Sequence, residues 1–568
     1  MRKSTAWTIF FFVLGLFSLL FLWPLTRVIT GGFYVEGKVT LRYLLNVFRN
    51  PIYAEGMLHS LMLGVTTTSI ALLISVPLAW LSHRFDFRGK KLLNGLLLVP
   101  MILPPFVGAI GFQQILGQYG VLNALLGLGP VDWLGRGRFL GVTILQALAL
   151  YPILFLNVTA ALANVDPAMA EAAENLGCPP LKRFFRITLP LIMPGLFAGG
   201  TIIFIWSFTE LGTPLIMNYT RCTSVQVYDA LREIGSNPFP YVLVFVMLTC
   251  SVMLYAATKL IFGKQAYAMQ SKASIGYSAR QLKGWRGAIV ALPFIAVISL
   301  ALMPHAGVVL TSFSVPGSWY KTVAPTMFTA GNYVDALGHG MTVTSIRNSL
   351  LFSSLAVLLN MGIGISIAFV VVRSKIRARA LLDALAMIPL AVPGLVMAFG
   401  YLSISSLLSN LSWARENPVW QSWFDVRTNP TLFLVIAYAV RRLPYMVRSA
   451  AAGLQQTSVV LEESAANLGA SPLTTARRIT LPLITANLIA GTLLAFAFSM
   501  LEVSDSLMLA QRADFYPITK TIYELFQLIG TGRYVASALG VWAMFFLAVT
   551  IIGSSLILGK KLGAIFRM

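Results

Sequence analysis

Apolar runs of about twenty residues recur some twelve times along this 568-residue chain, with short polar links between them. A helix rising 1.5 Å per residue needs roughly twenty such residues to cross a hydrocarbon core of about 30 Å. The runs lie near 6–29, 58–81, 92–117, 140–163, 191–219 and 240–262, then near 287–312, 347–371, 381–409, 431–452, 483–510 and 534–558. Charged residues make up only 11% of the chain, against about 25% in soluble domains. With 57% hydrophobic residues and a mean hydropathy of +0.78, it cannot cover its surface with polar groups. Lipid is its solvent, and helices are the elements that satisfy their own backbone there. The expected fold is an all-α polytopic membrane protein with about twelve spans.

The net charge of +22 raises the question of nucleic acid. A nucleic-acid domain gathers its Lys and Arg on one soluble module. Here they sit in the links: 263–286 carries five basic residues and no acid, and 373–380 carries four and none. Basic links mark the cytoplasmic side of a membrane protein, so topology accounts for the charge. The start, MRKSTAWTIFFFVLGLFSLLFLWP, is too long and lacks the small-residue cleavage site of a secretory leader. It reads as an uncleaved first span leaving the cytoplasm. Cys178, Cys222 and Cys250, like the four histidines, are scattered and form no metal-ligand spacing. No metal site, cofactor or catalytic set is expected, and the chain is not read as an enzyme.

The chain is also duplicated. EAAENLGCPPLKRFFRITLP (171–190) returns as ESAANLGASPLTTARRITLP (463–482). An offset of 292 pairs Gly177 with Gly469, Pro190 with Pro482, Gly199 with Gly491 and Glu210 with Glu502. Upstream, an offset of 289 pairs Ser60 with Ser349, Arg84 with Arg373 and Pro104 with Pro393. The reading is a first six-span unit over 1–263, a cytoplasmic linker over 264–286 and a second six-span unit over 287–568. An even number of spans returns the chain to its starting side, so the units are parallel repeats. Arg2, Lys3, 83–91, the central link and 373–380 put both polar segments (166–188 and 457–480) in the cytoplasm. Arg42, Arg49, Arg136 and Arg138 run against this bias, because they fall in loops then assigned to the outside.

Each polar segment reads as a short helix, a glycine corner and a second helix leading back to the bilayer. Asp166 before Pro167, and Ser458, are helix caps; Gly177 and Gly469 are left-handed stops. An amphipathic helix lying on headgroups would pair a basic face with bulky apolar residues. AEAAENLG is acidic and alanine-rich instead, which suits packing against a protein. Two copies facing one way fit one partner with two equal docking sites.

EAAENLG…ITLPL and EESAANLG…ITLPL resemble the EAA motif of binding-protein-dependent ABC transporter permeases, EAA followed three residues later by glycine. The second copy has Ser464 where the family has alanine. The duplicated, fused form is similar to the ferric-iron-type permeases, among which thiamine and 2-aminoethylphosphonate transporters also fall. The resemblance implies an inner-membrane permease whose coupling residues are Glu171, Ala172, Ala173 and Gly177, with Glu463, Ser464, Ala465 and Gly469. It implies a dimeric ATP-binding subunit on the cytoplasmic side and a substrate-binding protein on the outer side. The chain has no G-x-x-x-x-G-K-[ST] phosphate loop, so ATP hydrolysis is expected on a separate chain. Ferric iron is the expected cargo, on the resemblance alone. An ion-coupled secondary transporter is the competing class, and it leaves the duplicated elbow without a purpose.

Candidate pathway residues are Glu210, Glu502, Asp505, Arg441 and Arg442. The glutamates sit about twenty residues past the ITLP proline, roughly 30 Å up a continuous fifth span. A carboxylate there costs about 2.5–3.5 kcal/mol on insertion scales and must find a partner or a watery cavity. It either faces the translocation axis or hydrogen-bonds neighbours such as Thr209, Thr213 or Ser504. Arg441 and Arg442 lie inside the tenth span without first-unit equivalents. They can meet a passing anion, pair with Glu502 or Asp505, or snorkel. The prolines and glycines of 100–111 and 389–400 mark broken third spans, serving as hinges or close packing surfaces.

Overall fold

The computed structural model describes residues 3–558 except 36, 102, 235–236 and 271–278. The expected linker 264–286 therefore lies partly outside the described residues. Among the described residues, nine helices are long and apolar enough to cross a membrane, and two further pairs qualify as bent spans. Thr431–Gln456 is long enough but carries Arg441, Arg442 and Arg448, which make it too polar for the same test. These elements together follow the two-by-six pattern.

The third spans are broken, as their prolines and glycines predict, and one expectation of continuity, that of the fifth spans, is corrected. The third spans are not straight: Lys90–Met101 meets Pro105–Leu126 at 97°, and Arg379–Leu390 meets Gly394–Ser409 at 96°. Pro105 opens the second segment of the first unit and Pro393 caps that of the second, and neither has an N–H to continue a helix through the corner. The fifth spans do not run on to 219 and 510. They end at Phe208 and Met500, break, and restart as the short helices Gly212–Ile216 and Ser504–Leu509.

Packing repeats in each unit. The second span (Pro51–Arg84, Gly340–Arg373) packs on the fourth (Phe139–Ala163, Thr431–Gln456), and both pack on the fifth. Each first span crosses to the other unit. Trp23–Phe33 packs on Gly394–Ser409, and Trp285–Ser312 on Pro105–Leu116. Glycines allow this: a Cβ on Gly111 would lie 2.1 Å from the Pro304 carbonyl, and one on Gly400 would lie 2.8 Å from that of Pro24. The prolines and glycines of these segments thus make both the bends and the close contacts.

The main core lies between the units, where Phe106, Val107 and Phe112 join Val396, Phe399 and Met508. Outward residues such as Phe12, Leu73, Leu292 and Leu358 are exposed and apolar, as lipid contact requires.

Candidate functional site

The two elbows are built by the same local interactions. Asp166 Oδ1 accepts from Ala168 N at 2.9 Å, and Ser458 Oγ accepts from Val460 N at 3.3 Å, starting helices Pro167–Asn175 and Val459–Asn467. Gly177 and Gly469 stop them at φ +74° and +85°. Behind each glycine the next amide bonds back: Cys178 N to Ala173 O at 2.9 Å, and Ala470 N to Ala465 O at 3.0 Å. This is the six-to-one bond of a Schellman stop. The chain then re-enters at Pro180 and Pro472, and each second helix passes through one π-helical turn (184–188, 476–480) into the fifth span.

Glu171, Ala172 and Gly177 are exposed, as are Glu463, Ser464 and Gly469; Ala173 is half-buried and its counterpart Ala465 buried. The third residue of each motif therefore packs on the protein, while the first two face out. Sequence reasoning missed the apolar tip. Leu176 and Leu468 are 87% and 89% exposed, with Leu181 and Leu473 exposed beside them. The same 292-residue offset pairs Leu176 with Leu468, but a leucine carries no sign of its exposure.

The anchoring of the elbows differs. Arg373, at the end of the second span of its unit, donates through Nε to Glu462 at 2.9 Å and through Nη2 to the Thr457 carbonyl at 3.1 Å. In the first unit, Glu174 instead pairs with Arg183 at 2.5 Å, inside the elbow itself.

Glu210 and Glu502 stand in the breaks that follow the fifth spans, two residues past each helix end rather than on a continuous helix. The breaks are stitched alike. Ser224 Oγ donates to the Glu210 carbonyl and Thr519 Oγ1 to that of Glu502, both at 2.7 Å. The adjacent helices are capped by Ser60 and Ser349, which accept from Thr223 N at 2.8 Å and Ile518 N at 2.7 Å. The two breaks touch, since a Cβ on Gly212 would lie 2.7 Å from Val503 Cγ1.

The carboxylates meet different partners. Glu210 accepts from Thr213 N at 2.9 Å and from Gln146 Nε2 at 3.4 Å, with no cation in reach among the described residues. Gln146 is aimed by Ser207, which donates to its carbonyl oxygen at 2.5 Å. Glu502 instead pairs with both Arg441 and Arg442, and Arg441 also reaches Asp505 at 3.5 Å. Arg442 donates further to the Phe498 carbonyl at 3.0 Å. The arginines are thus held by acids and do not snorkel. Glu210, Glu502, Arg441 and Arg442 line one cavity of about 180 Å³ between the units, together with Pro105 and Pro393 of the broken third spans. Asp505 is fully buried behind it.

The family model for the binding-protein-dependent transport system inner membrane component matches twice, at residues 71–267 and 360–559. The ferric transport system permease protein FbpB of Actinobacillus pleuropneumoniae is 27% identical over 476 residues, 81% of this chain and 64% of that protein. A putative ferric transport system permease protein FbpB 1 of Haemophilus influenzae is also 27% identical, over 82% of this chain and 70% of that protein. The chain thus spans less than two thirds of the first of these relatives. The molybdenum transport system permease protein ModB of Escherichia coli K12 is 32% identical over 191 residues, 32% of this chain and 82% of its own length. With two family matches on two copies of the elbow and twelve-element helical architecture, the chain belongs to the binding-protein-dependent inner-membrane permeases, as a fused, two-unit ABC importer permease.

Proposed function

We propose that this permease receives its cargo from a substrate-binding protein on the outer face and releases it to the cytoplasm, driven by an ATPase dimer docked on the two elbows. The observation that carries this is the matched pair of knobs: two identical glycine corners, each presenting one almost fully exposed leucine. A bare leucine in water is covered at little cost by a partner's groove. Burying each tip removes apolar area worth about 1.5–3 kcal/mol. In this reading Glu171, Ala172, Ala173 and Gly177 form one docking site and Glu463, Ser464, Ala465 and Gly469 the other, with units bounded at 1–263 and 287–568.

The cargo we favour is ferric iron, supported by the names of the two FbpB relatives and by the two glutamates, one from each unit, at one central cavity. In this reading Glu210 and Glu502 lie on the pathway, with Asp505 buried behind them. A second reading, an anionic solute such as 2-aminoethylphosphonate, is supported by Arg441 and Arg442 at the same cavity. Reconstitution with the neighbouring ATPase and binding protein tests both. ATP-dependent uptake of labelled ferric iron supports the first; uptake of labelled phosphonate alone supports the second. Uptake driven by an ion gradient without ATPase would overturn the proposal.

A further inference from the structure

Arg138 departs from the charge bias of the chain, and the structure gives it surroundings that the transport reading leaves unused. It precedes the 25-residue helix Phe139–Ala163, so about 37 Å of helix separates it from the elbow that follows. There it lines a cavity of about 360 Å³ between the units, with Gln114 and Tyr119 from the first and Tyr320, Arg533 and Tyr534 from the second.

Among the described residues neither guanidinium has an acidic partner. Arg138 Nη1 donates to the Met217 carbonyl at 2.9 Å, and Arg533 Nη1 to Gln114 Oε1 at 3.2 Å. Among the described residues no carboxylate lies within ion-pair distance of either. Among the described lining residues the one acid, Asp132, accepts from Leu134 N at 3.1 Å through Oδ1. A third cation, Lys321, sits 5.2 Å from the Tyr119 ring and 5.3 Å from the Tyr320 ring. The Tyr534 hydroxyl accepts from Gly317 N at 3.0 Å, which leaves its proton to donate.

The backbone is unusual at the same place. Three non-glycine residues among those described have positive φ: Arg138 at 63°, Asn218 at 52° and Lys321 at 56°. Two are these cations, and the third follows Met217, which accepts from Arg138. Asparagine tolerates this region; arginine and lysine there are uncommon, and such outliers gather at binding sites.

We infer that this cavity binds an oxyanion, a phosphate-type or carboxylate group, gripped between Arg138 and Arg533. Each guanidinium keeps unspent N–H donors, and the fork of a guanidinium matches two oxygens of such a group. The group comes from a free solute or from a lipid headgroup. The inference does not depend on the cargo or on ATPase docking.

The test is arginine-selective modification of the full chain with phenylglyoxal, read by peptide mass spectrometry. Arg42 and Arg49 serve as exposed controls. In phosphatidylcholine nanodiscs, inorganic phosphate should slow modification of Arg138 and Arg533 about tenfold, as expected for occupied charge-assisted bonds. Protection by phosphatidylglycerol nanodiscs without added phosphate would identify a lipid headgroup as the source. Protection by neither anion, or equal protection of the control arginines, overturns the inference. As a second readout, phosphate should shift the emission of wild-type protein through Trp319 in the cavity wall. Arg533→Gln should abolish that shift and Arg533→Lys retain part of it. An unchanged shift in Arg533→Gln also overturns the inference.

Discussion

Arg373 Nε lies 2.9 Å from Glu462 Oε1, and this ion pair fastens the second elbow to the second span of its unit. Both side chains are largely buried, so removing one leaves the other poorly paired, at a cost of about 3 kcal/mol. Glu462→Ala should therefore raise amide hydrogen exchange across 459–467 and leave 167–175 unchanged. This ion pair has no counterpart in the first elbow, where position 170 holds alanine in place of Glu462.

The glycine corners are separable from packing. A Cβ on Gly177 or Gly469 would meet nothing within 4 Å, so Gly→Ala there costs only the left-handed backbone, about 1–2 kcal/mol. Exchange protection should fall at 173–178 or 465–470 with global melting nearly unchanged. ATPase co-purification should fall with it.

Gly111 and Gly400 behave differently, because their neighbours are backbone atoms of Pro304 and Pro24 that cannot rotate away. Gly111→Ala and Gly400→Ala should each lower thermal stability in detergent by about 1–3 kcal/mol, the range of overpacking. Gly15→Ala, with nothing within 4 Å of the added atom, is the matched control and should be neutral.

The two central glutamates should part company on substitution. Glu502→Gln removes the charge that holds both Arg441 and Arg442, and unfolding should become easier by about 3 kcal/mol. Glu210→Gln keeps an acceptor for Thr213 N and loses no cation, so its stability should move by less than about 1 kcal/mol. On the proposed pathway, Glu210→Gln nonetheless slows uptake, measured as initial rate in proteoliposomes.

Much of this architecture was legible from residues. Span length and apolarity mark the long helices, and Asp166, Ser458, Gly177 and Gly469 act as written because caps and stops are local chemistry. The breaks after Phe208 and Met500 were hidden, because TELGTPLI and EVSDSLML stay apolar enough to pass as more helix. What ends those helices is tertiary: Ser224 and Thr519 reach back from later in the chain to the glutamate carbonyls. Gln146 was overlooked for a related reason. A neutral amide in an apolar run carries no signal until Ser207 turns it towards Glu210.

Cross-linking at the tips of the elbows is the most direct measurement. Leu176→Cys and Leu468→Cys, each in a Cys178→Ala background, would be joined to the ATPase subunit in native membranes by a short bifunctional maleimide. Both positions should cross-link, and both should lose the product when the ATPase is stripped away. Labelling of the two cysteines from opposite sides of the membrane, or a product at neither, would contradict the account.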